Sequence, residues 1–286
     1  MRMISKVLRK IAKALVHFIE KKSGLHVSRI HFYSPIPDVN ELKDSIYDDL
    51  NPCHGIDFAV DKQLALLSGV YSQYLGEFEP SANIGLSKID AFVLYAMIRY
   101  KKPRKYVEIG SGASTLIALK ALQKNQEEGA NFQFIAIEPY PAQHLKELSV
   151  ENFQLYESKV QDMPLEHFQD TDMLFIDSSH VSKIGSDVNY ELLNIVPNLK
   201  VGAMVHWHDI MIPGEYPRHW VVDGRLYWNE SYMVHSFLLF NHSFQVSWAS
   251  KYMQVKHAEE LGDTFAYFQP NDPDQQLSSL WAERIA

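Results

Sequence analysis

The run Lys105-Tyr-Val-Glu-Ile-Gly-Ser-Gly-Ala-Ser-Thr115 constrains the chain most, because an apolar strand leads into an acid and then into two glycines one residue apart. Gly110 and Gly112 are expected to let the backbone turn tightly and approach a ligand closely. Ser114 and Thr115 then open a helix whose free N–H groups face the same cleft, and Ser111 between the glycines joins the candidate contacts. A dinucleotide site prefers a third glycine where Thr115 stands and has no need of an acid two residues before the first glycine. Glu108 therefore favours a cofactor with a positive charge over one with a pyrophosphate, which points to S-adenosylmethionine. Taken alone, the segment also suits an ordinary strand, turn and helix with glycines for packing.

Later segments repeat the pattern of a buried strand ending in ionisable groups. Phe132–Glu138 reads as a second strand stopped by Pro139, with Glu138 placed to accept the ribose hydroxyls, a feature that dehydrogenases share. A third strand near Phe153–Val160 runs into Asp162, which could reach an adenine amino group or cap a short helix over Met163–Phe168. Met173–His180 and Val201–Asp209 supply two more. In an open parallel sheet the carboxyl ends of the strands line the ligand crevice, so Glu108, Glu138, Asp177, His180, His208 and Asp209 should converge. Such convergence is costly unless a ligand or metal offsets it. His206, two residues before His208 and deeper on the same strand face, reads as core. Helices are expected over Asp61–Tyr74, Lys88–Tyr100, Val181–Val196 and Glu230–Phe240, and strands near Phe244–Trp248 and Thr264–Phe268 should complete the sheet. This alternation predicts an α/β fold with a doubly wound, mostly parallel sheet.

Residues from about 85 to 250 resemble class I S-adenosylmethionine-dependent methyltransferases, and within them the macrocin-type O-methyltransferases of antibiotic sugars. The specific part is Asp177-Ser-Ser-His180, then a helix, the turn Asn198-Leu-Lys-Val-Gly202 and a strand ending in His208-Asp209. The whole chain is similar to uncharacterised methyltransferases of bacterial polysaccharide clusters through His31–Pro37, Phe175–Tyr190, Glu215-Tyr-Pro217, Trp220 and Trp228-Asn-Glu230. The resemblance implies a Rossmann-like domain over 85–286 with a seven-stranded sheet, preceded by a helical extension over 1–84. It implies methylation of a hydroxyl on a sugar, nucleotide sugar or glycan. It also implies that His180 is the general base, since an imidazole with an unperturbed pKa of about 6.5 is mostly neutral at cellular pH. By the same resemblance Asp177, His208 and Asp209 hold a divalent cation such as magnesium or manganese. His208 replaces a carboxylate of that family, and magnesium prefers oxygen ligands, so a metal-free site stays open. A phenol or amine acceptor, or a non-catalytic cofactor-binding subunit of a glycan-assembly complex, would share the cofactor features.

The 286 residues, 46% of them hydrophobic, can bury one large α/β core. A single cysteine, Cys53, rules out an internal disulfide framework and suits a reducing compartment. No apolar run would span a bilayer and lysines interrupt the first apolar residues, so a cytoplasmic protein without a signal peptide is expected. Seven cations within residues 1–22 face Glu20 alone, a balance of +6 that leaves −14 for the rest of a chain at −8. Apolar residues recur there at helical spacing, so this helix could lie on an anionic membrane surface, pack on another subunit such as a second copy, or dock on its own domain. The acidic remainder argues against nucleic acid as a partner. The aromatic stretch 211–232 reads as a lid, with Tyr216, Trp220, Arg225 and Trp228 as sugar contacts, although half of its rings could simply cover the sheet edge.

Overall fold

The computed structural model describes residues 15–16, 18–24, 31–80, 85–270, 272 and 275–286. The chain divides into two compact units, Met1–Asp44 and Ser45–Ala286. In the first, residues 18–23 are helical, and a turn is closed by the Ser34 N–H to the His31 carbonyl at 2.8 Å. Most of the basic amphipathic helix expected over 1–22 lies outside the described residues.

The second unit is built on a seven-stranded sheet ordered β3-β2-β1-β4-β5-β7-β6. Its strands are β1 Lys105–Ile109, β2 Gln133–Ile137, β3 Phe153–Tyr156, β4 Met173–Ile176, β5 Met204–Trp207, β6 Phe244–Ala249 and β7 Leu280–Arg284. Neighbours among β1 to β5 pair in parallel, and β7 runs antiparallel to both β5 and β6. The central strands are apolar at nearly every position because both faces are covered. Val107, Ile135, Leu174 and Val205 pack on one side, and Tyr106, Phe134, Phe175 and Met204 on the other. That split is the period-two alternation of strand side chains. Burying each such side chain contributes about 1.5–3 kcal/mol.

The helix Lys88–Lys101 covers one face. Ser87 caps it, accepting from the Asp90 N–H at 3.0 Å and donating to Asp90 Oδ2 at 2.8 Å. Asp90 is fully buried and also accepts from the backbone N–H groups of Ser278 and Ser279. This carboxylate therefore ties the entry of β7 to the first turn of the helix. The helix expected over Asp61–Tyr74 forms as three consecutive segments that begin at Val60 and end at Tyr74. Leu67 and Tyr71 from it share a core cluster with Phe92 and Trp248.

Two expected elements differ. Thr264–Phe268 is not a strand: the helix Ala258–Thr264 ends there, and Phe265 packs edge-on against Phe92 at 5.3 Å. The seventh strand is Leu280–Arg284, whose alternating apolar residues enter both core clusters. The helix expected from Val181 starts only at Asp187, where the Ser186 hydroxyl accepts from the Asn189 N–H. Residues 181–186 stay irregular and border a cavity.

Candidate functional site

The turn after β1 sits where its carboxyl end meets β4. Gly110 has φ +82°, and a Cβ there would lie 1.9 Å from the Asp177 carbonyl oxygen. Glycine is thus required by the neighbouring strand end as well as by the left-handed backbone. Gly112 is different: its φ of −172° is extended, and a Cβ would meet nothing within 4 Å. Glu138 at the end of β2 accepts from the Ser111 N–H at 3.3 Å and the Tyr140 N–H at 2.7 Å. These strand ends open onto a cavity of about 490 Å³ lined by Gly110, Glu138, Tyr140, Gln161, Asp177 and Ser186 among others. A second cavity of about 450 Å³ shares Gln161 and Ser186 with it and adds Asp162 and Asn189. Asp162 lies in the short helical turn Val160–Asp162 and does not cap a following helix.

Beyond Asp177 the chain turns sharply. His180 and Asp209 both adopt left-handed backbone conformations, with φ of 58° and 55°. Each costs about 1–2 kcal/mol for a residue with a Cβ, and such conformations persist where the surroundings hold them. Here they bring the side chains together. His180 Nε2 lies 3.2 Å from Asp177 Oδ1 and 3.6 Å from Asp209 Oδ2, and its Nδ1 lies 2.9 Å from Glu230 Oε2. His208 Nδ1 stands 3.4 Å from Asp177 Oδ1 and 3.5 Å from Asp209 Oδ1. Ser278 donates its hydroxyl to Asp209 Oδ1 at 3.0 Å. On the far side of this cluster a cavity of about 460 Å³ is lined by Asp209, Trp220, Trp228, Tyr267, Gln275 and Ser278 among others. Asp177 borders one cavity and Asp209 the other, with His180 between them.

Residues 107–210 match the sequence profile of a methyltransferase domain family. An uncharacterised protein of Archaeoglobus fulgidus is 32% identical over 187 residues, which is 57% of this chain and 83% of that one. The chain belongs to the class I S-adenosylmethionine-dependent methyltransferases. Among solved structures, the O-methyltransferase TomG of Streptomyces achromogenes, involved in tomaymycin synthesis and bound to S-adenosylmethionine, aligns with 13% identity, 77% of this chain, 89% of its own and a TM-score of 0.44. An O-methyltransferase of Bacillus cereus bound to S-adenosylhomocysteine aligns with 11% identity, 80% and 97% coverage and a TM-score of 0.42.

In this methyltransferase burial and charge work against each other at the cluster. Burial disfavours a charged His180, but Asp177 and Glu230 outweigh it and raise the ring to about 11. His208 is likewise penalised by burial and raised to about 9 by Asp209 and Asp177. Asp177 is opposed by its own burial yet held well below the usual carboxylate range by the two imidazoles. The acids around the ring thus favour its charged form in the ligand-free protein, against the expectation of a mostly neutral His180. Asp177, His180 and Asp209 present ligand atoms within 4.8 Å of one another, a set that holds His180 and does not include the expected His208. His206 is core, stacked on Trp281 at 4.0 Å and bonded to Ser279 Oγ at 2.8 Å.

Several expected contacts lie elsewhere. Glu108 is fully buried and does not line the cavity: it accepts from the Ser114 hydroxyl at 2.6 Å, and burial pushes it up to about 8. Its Oε2 has no hydrogen-bond partner. Ser111, Gly112 and Ser114 are also absent from the described lining. Tyr216 is 2% exposed, and its hydroxyl accepts from the Ser231 N–H at 2.9 Å, which makes it a core residue and not a cavity contact. Arg225 is not among the lining residues either, whereas Trp220 and Trp228 are. Sequence reading missed Ser278, Gln275 and Tyr267, because the strand that fixes them was placed at 264–268. It also misses Glu230 as a partner of His180, although Glu230 closes the Trp228-Asn-Glu230 motif.

Proposed function

We propose that the methyltransferase transfers a methyl group to a hydroxyl of a sugar, nucleotide sugar or glycan. The observation that carries this reading is the Asp177–His180–Asp209 cluster standing between two cavities, one at the ends of β1, β2 and β4 and one under the aromatic lid. The first cavity suits the cofactor. Glu138 faces it as an acceptor for ribose hydroxyls, and Gln161 and Asp162 border its extension. When bound, S-adenosylmethionine supplies an electrophilic methyl carbon on a sulfonium.

The second cavity suits the acceptor. Trp220 and Trp228 offer rings 5.3 Å apart and nearly perpendicular, so they present two walls to a saturated ring. Gln275 and Ser278 add hydrogen-bonding groups, and Lys88 lies over the Tyr267 ring at the same wall. The acceptor hydroxyl, held against Asp209, attacks the methyl carbon in line: the new O–C bond forms as the C–S bond breaks, and sulfur keeps the electron pair. His180 Nε2 takes the hydroxyl proton. For that it must first lose its own, and a divalent cation held by Asp177 and Asp209, with His208 adjacent, would supply positive charge there in place of the ring's proton and acidify the hydroxyl. Two carboxylates suit a hard cation, and the imidazoles suit manganese better than magnesium.

The test is incubation with labelled S-adenosylmethionine and a panel of nucleotide sugars and glycans, read by mass shift. A methylated product that retains the ester-free, base-stable character of an ether supports the reading. Labelling of phenols or amines alone would reject it. In the active system His180→Gln should lower turnover by about 10²-fold or more with cofactor affinity unchanged.

A further inference from the structure

Asp209 borders the cavity under Trp220 and Trp228, yet little holds its carboxyl group in place. Its Oδ2 lies 3.6 Å from His180 Nε2 and its Oδ1 3.5 Å from His208 Nδ1, both longer than a hydrogen bond. Ser278 is nearer. Its hydroxyl donates to Oδ1 at 3.0 Å, and among the described residues this is the only hydrogen bond to that carboxyl group. His208 Nε2 stands 3.3 Å from the same hydroxyl oxygen, which keeps lone pairs to accept from it. The backbone repeats the link, since the Ile210 N–H donates to the Ser278 carbonyl at 2.7 Å. Ser278 is itself 3% exposed and held from both sides. Its N–H donates to Asp90 Oδ2 at 3.0 Å, and the N–H of Ser279 reaches Asp90 Oδ1 at 3.3 Å. The buried Gln254 takes the residues before it, donating from Nε2 to the Gln275 carbonyl at 2.6 Å and accepting from the Leu277 N–H at 3.4 Å.

We propose that Ser278 is the positioning residue that fixes the Asp209 carboxyl group, with Oδ1 engaged and Oδ2 turned toward His180, so that the acceptor hydroxyl meets an oriented acid. The last bond of an aspartate turns over a broad, roughly two-fold range, and a donor on one oxygen selects the plane. Ser278 can do so because it stands on a fixed frame. Asp90 lies in the first turn of the helix Lys88–Lys101, which is buried from Ile89 to Arg99, and its two oxygens hold two successive N–H groups at the entry of β7. A side chain 69 residues beyond Asp209 is thereby held rigidly against it. Groups that orient a working side chain in this way support its geometry without touching the reacting atoms. The proposal rests on the reading that the acceptor hydroxyl is held against Asp209.

Two measurements on the full chain test it. Ser278→Ala removes the hydroxyl and keeps the backbone hydrogen bonds to Asp90, so S-adenosylhomocysteine binding by calorimetry should be unchanged. Its kcat should fall by about 10- to 100-fold, with the KM for S-adenosylmethionine unchanged. A serine that acts through Asp209 loses its effect once Asp209 is altered, so Ser278→Ala added to Asp209→Asn should lower kcat by less than about 2-fold further. A full second loss in the double variant overturns the proposal, and so does wild-type kcat in Ser278→Ala. The other measurement needs no turnover. In crystals grown with S-adenosylhomocysteine, Asp209 should hold one orientation in the wild-type protein and turn, or take two, in Ser278→Ala. An unmoved carboxyl group in the variant overturns the proposal whether or not an acceptor is known. Wild-type crystals in which Asp209 lacks the Ser278 bond overturn it even if the variant does not fold. Full turnover in Asp209→Asn would defeat the reading of Asp209 at the acceptor, and the proposal with it.

Discussion

Two glycines that look equivalent in the sequence do different work. Gly110→Ala would place a methyl 1.9 Å from the Asp177 carbonyl on a backbone with φ +82°, so the strand ends must separate. We expect a loss of roughly 2–4 kcal/mol in denaturant unfolding, together with loss of S-adenosylhomocysteine binding by calorimetry. Gly112→Ala meets open space and should stay within about 0.5 kcal/mol of wild type. Glu108 carries the second prediction at this scale. Burial raises its pKa from 4.5 to about 8. A carboxyl raised in the folded state gives stability that is whole below the unfolded value and is lost as pH climbs through the folded one. The melting temperature of the ligand-free protein should therefore fall between about pH 5 and pH 8, and Glu108→Gln should flatten that part of the curve. An unchanged slope in the variant would place the titrating group elsewhere.

At the scale of elements, the aromatic stretch 211–232 separates into a core-facing and a cavity-facing half. Tyr216 is buried and bonded to the N–H of Ser231, whereas Trp220 is partly exposed and lines the cavity proposed for the acceptor. Tyr216→Phe should cost about 1 kcal/mol of stability, since it leaves a buried N–H without its acceptor, and should not alter acceptor KM. Trp220→Ala should do the reverse, raising acceptor KM with little change in melting temperature. Identical KM effects in the two variants would contradict this division. The element around Phe265 teaches a related lesson: aromatic spacing at 264–268 suggests a strand, yet a helix ends at Thr264 and Phe265 packs on Phe92. Apolar periodicity over five residues does not separate the two cases. Pairing partners do, and the antiparallel slot beside β5 is taken by Leu280–Arg284.

For the molecule as a whole, the question is what holds Asp177 and Asp209 in one small space. Without a cation, the imidazolium of His180 and the neighbouring His208 offset their charge. If turnover uses a divalent cation there, excess chelator should abolish it, manganese or magnesium should restore it, and Asp209→Asn should need more metal for half-maximal rate. Full turnover in chelator would assign the two carboxylates to hydrogen bonding alone. Among the described residues no helix is long and apolar enough to cross a membrane.

By itself the sequence determined the order of strands and helices through most of the sheet, the cofactor-side turn at Gly110, and the acids at the ends of β2, β4 and β5. Local chemistry suffices for these: continuous apolar runs of strand length bounded by turn residues and alternating with helical patterns read as buried parallel strands, whose polar ends meet at the crevice. Tertiary structure alone decided which residues share that crevice. Glu108 points to Ser114 and not to the cavity, Tyr216 turns inward, and Ser278 and Glu230 arrive from 69 and 50 residues away to hold Asp209 and His180. It also set the direction of the His180 pKa, which Asp177 and Glu230 packed against the ring raise.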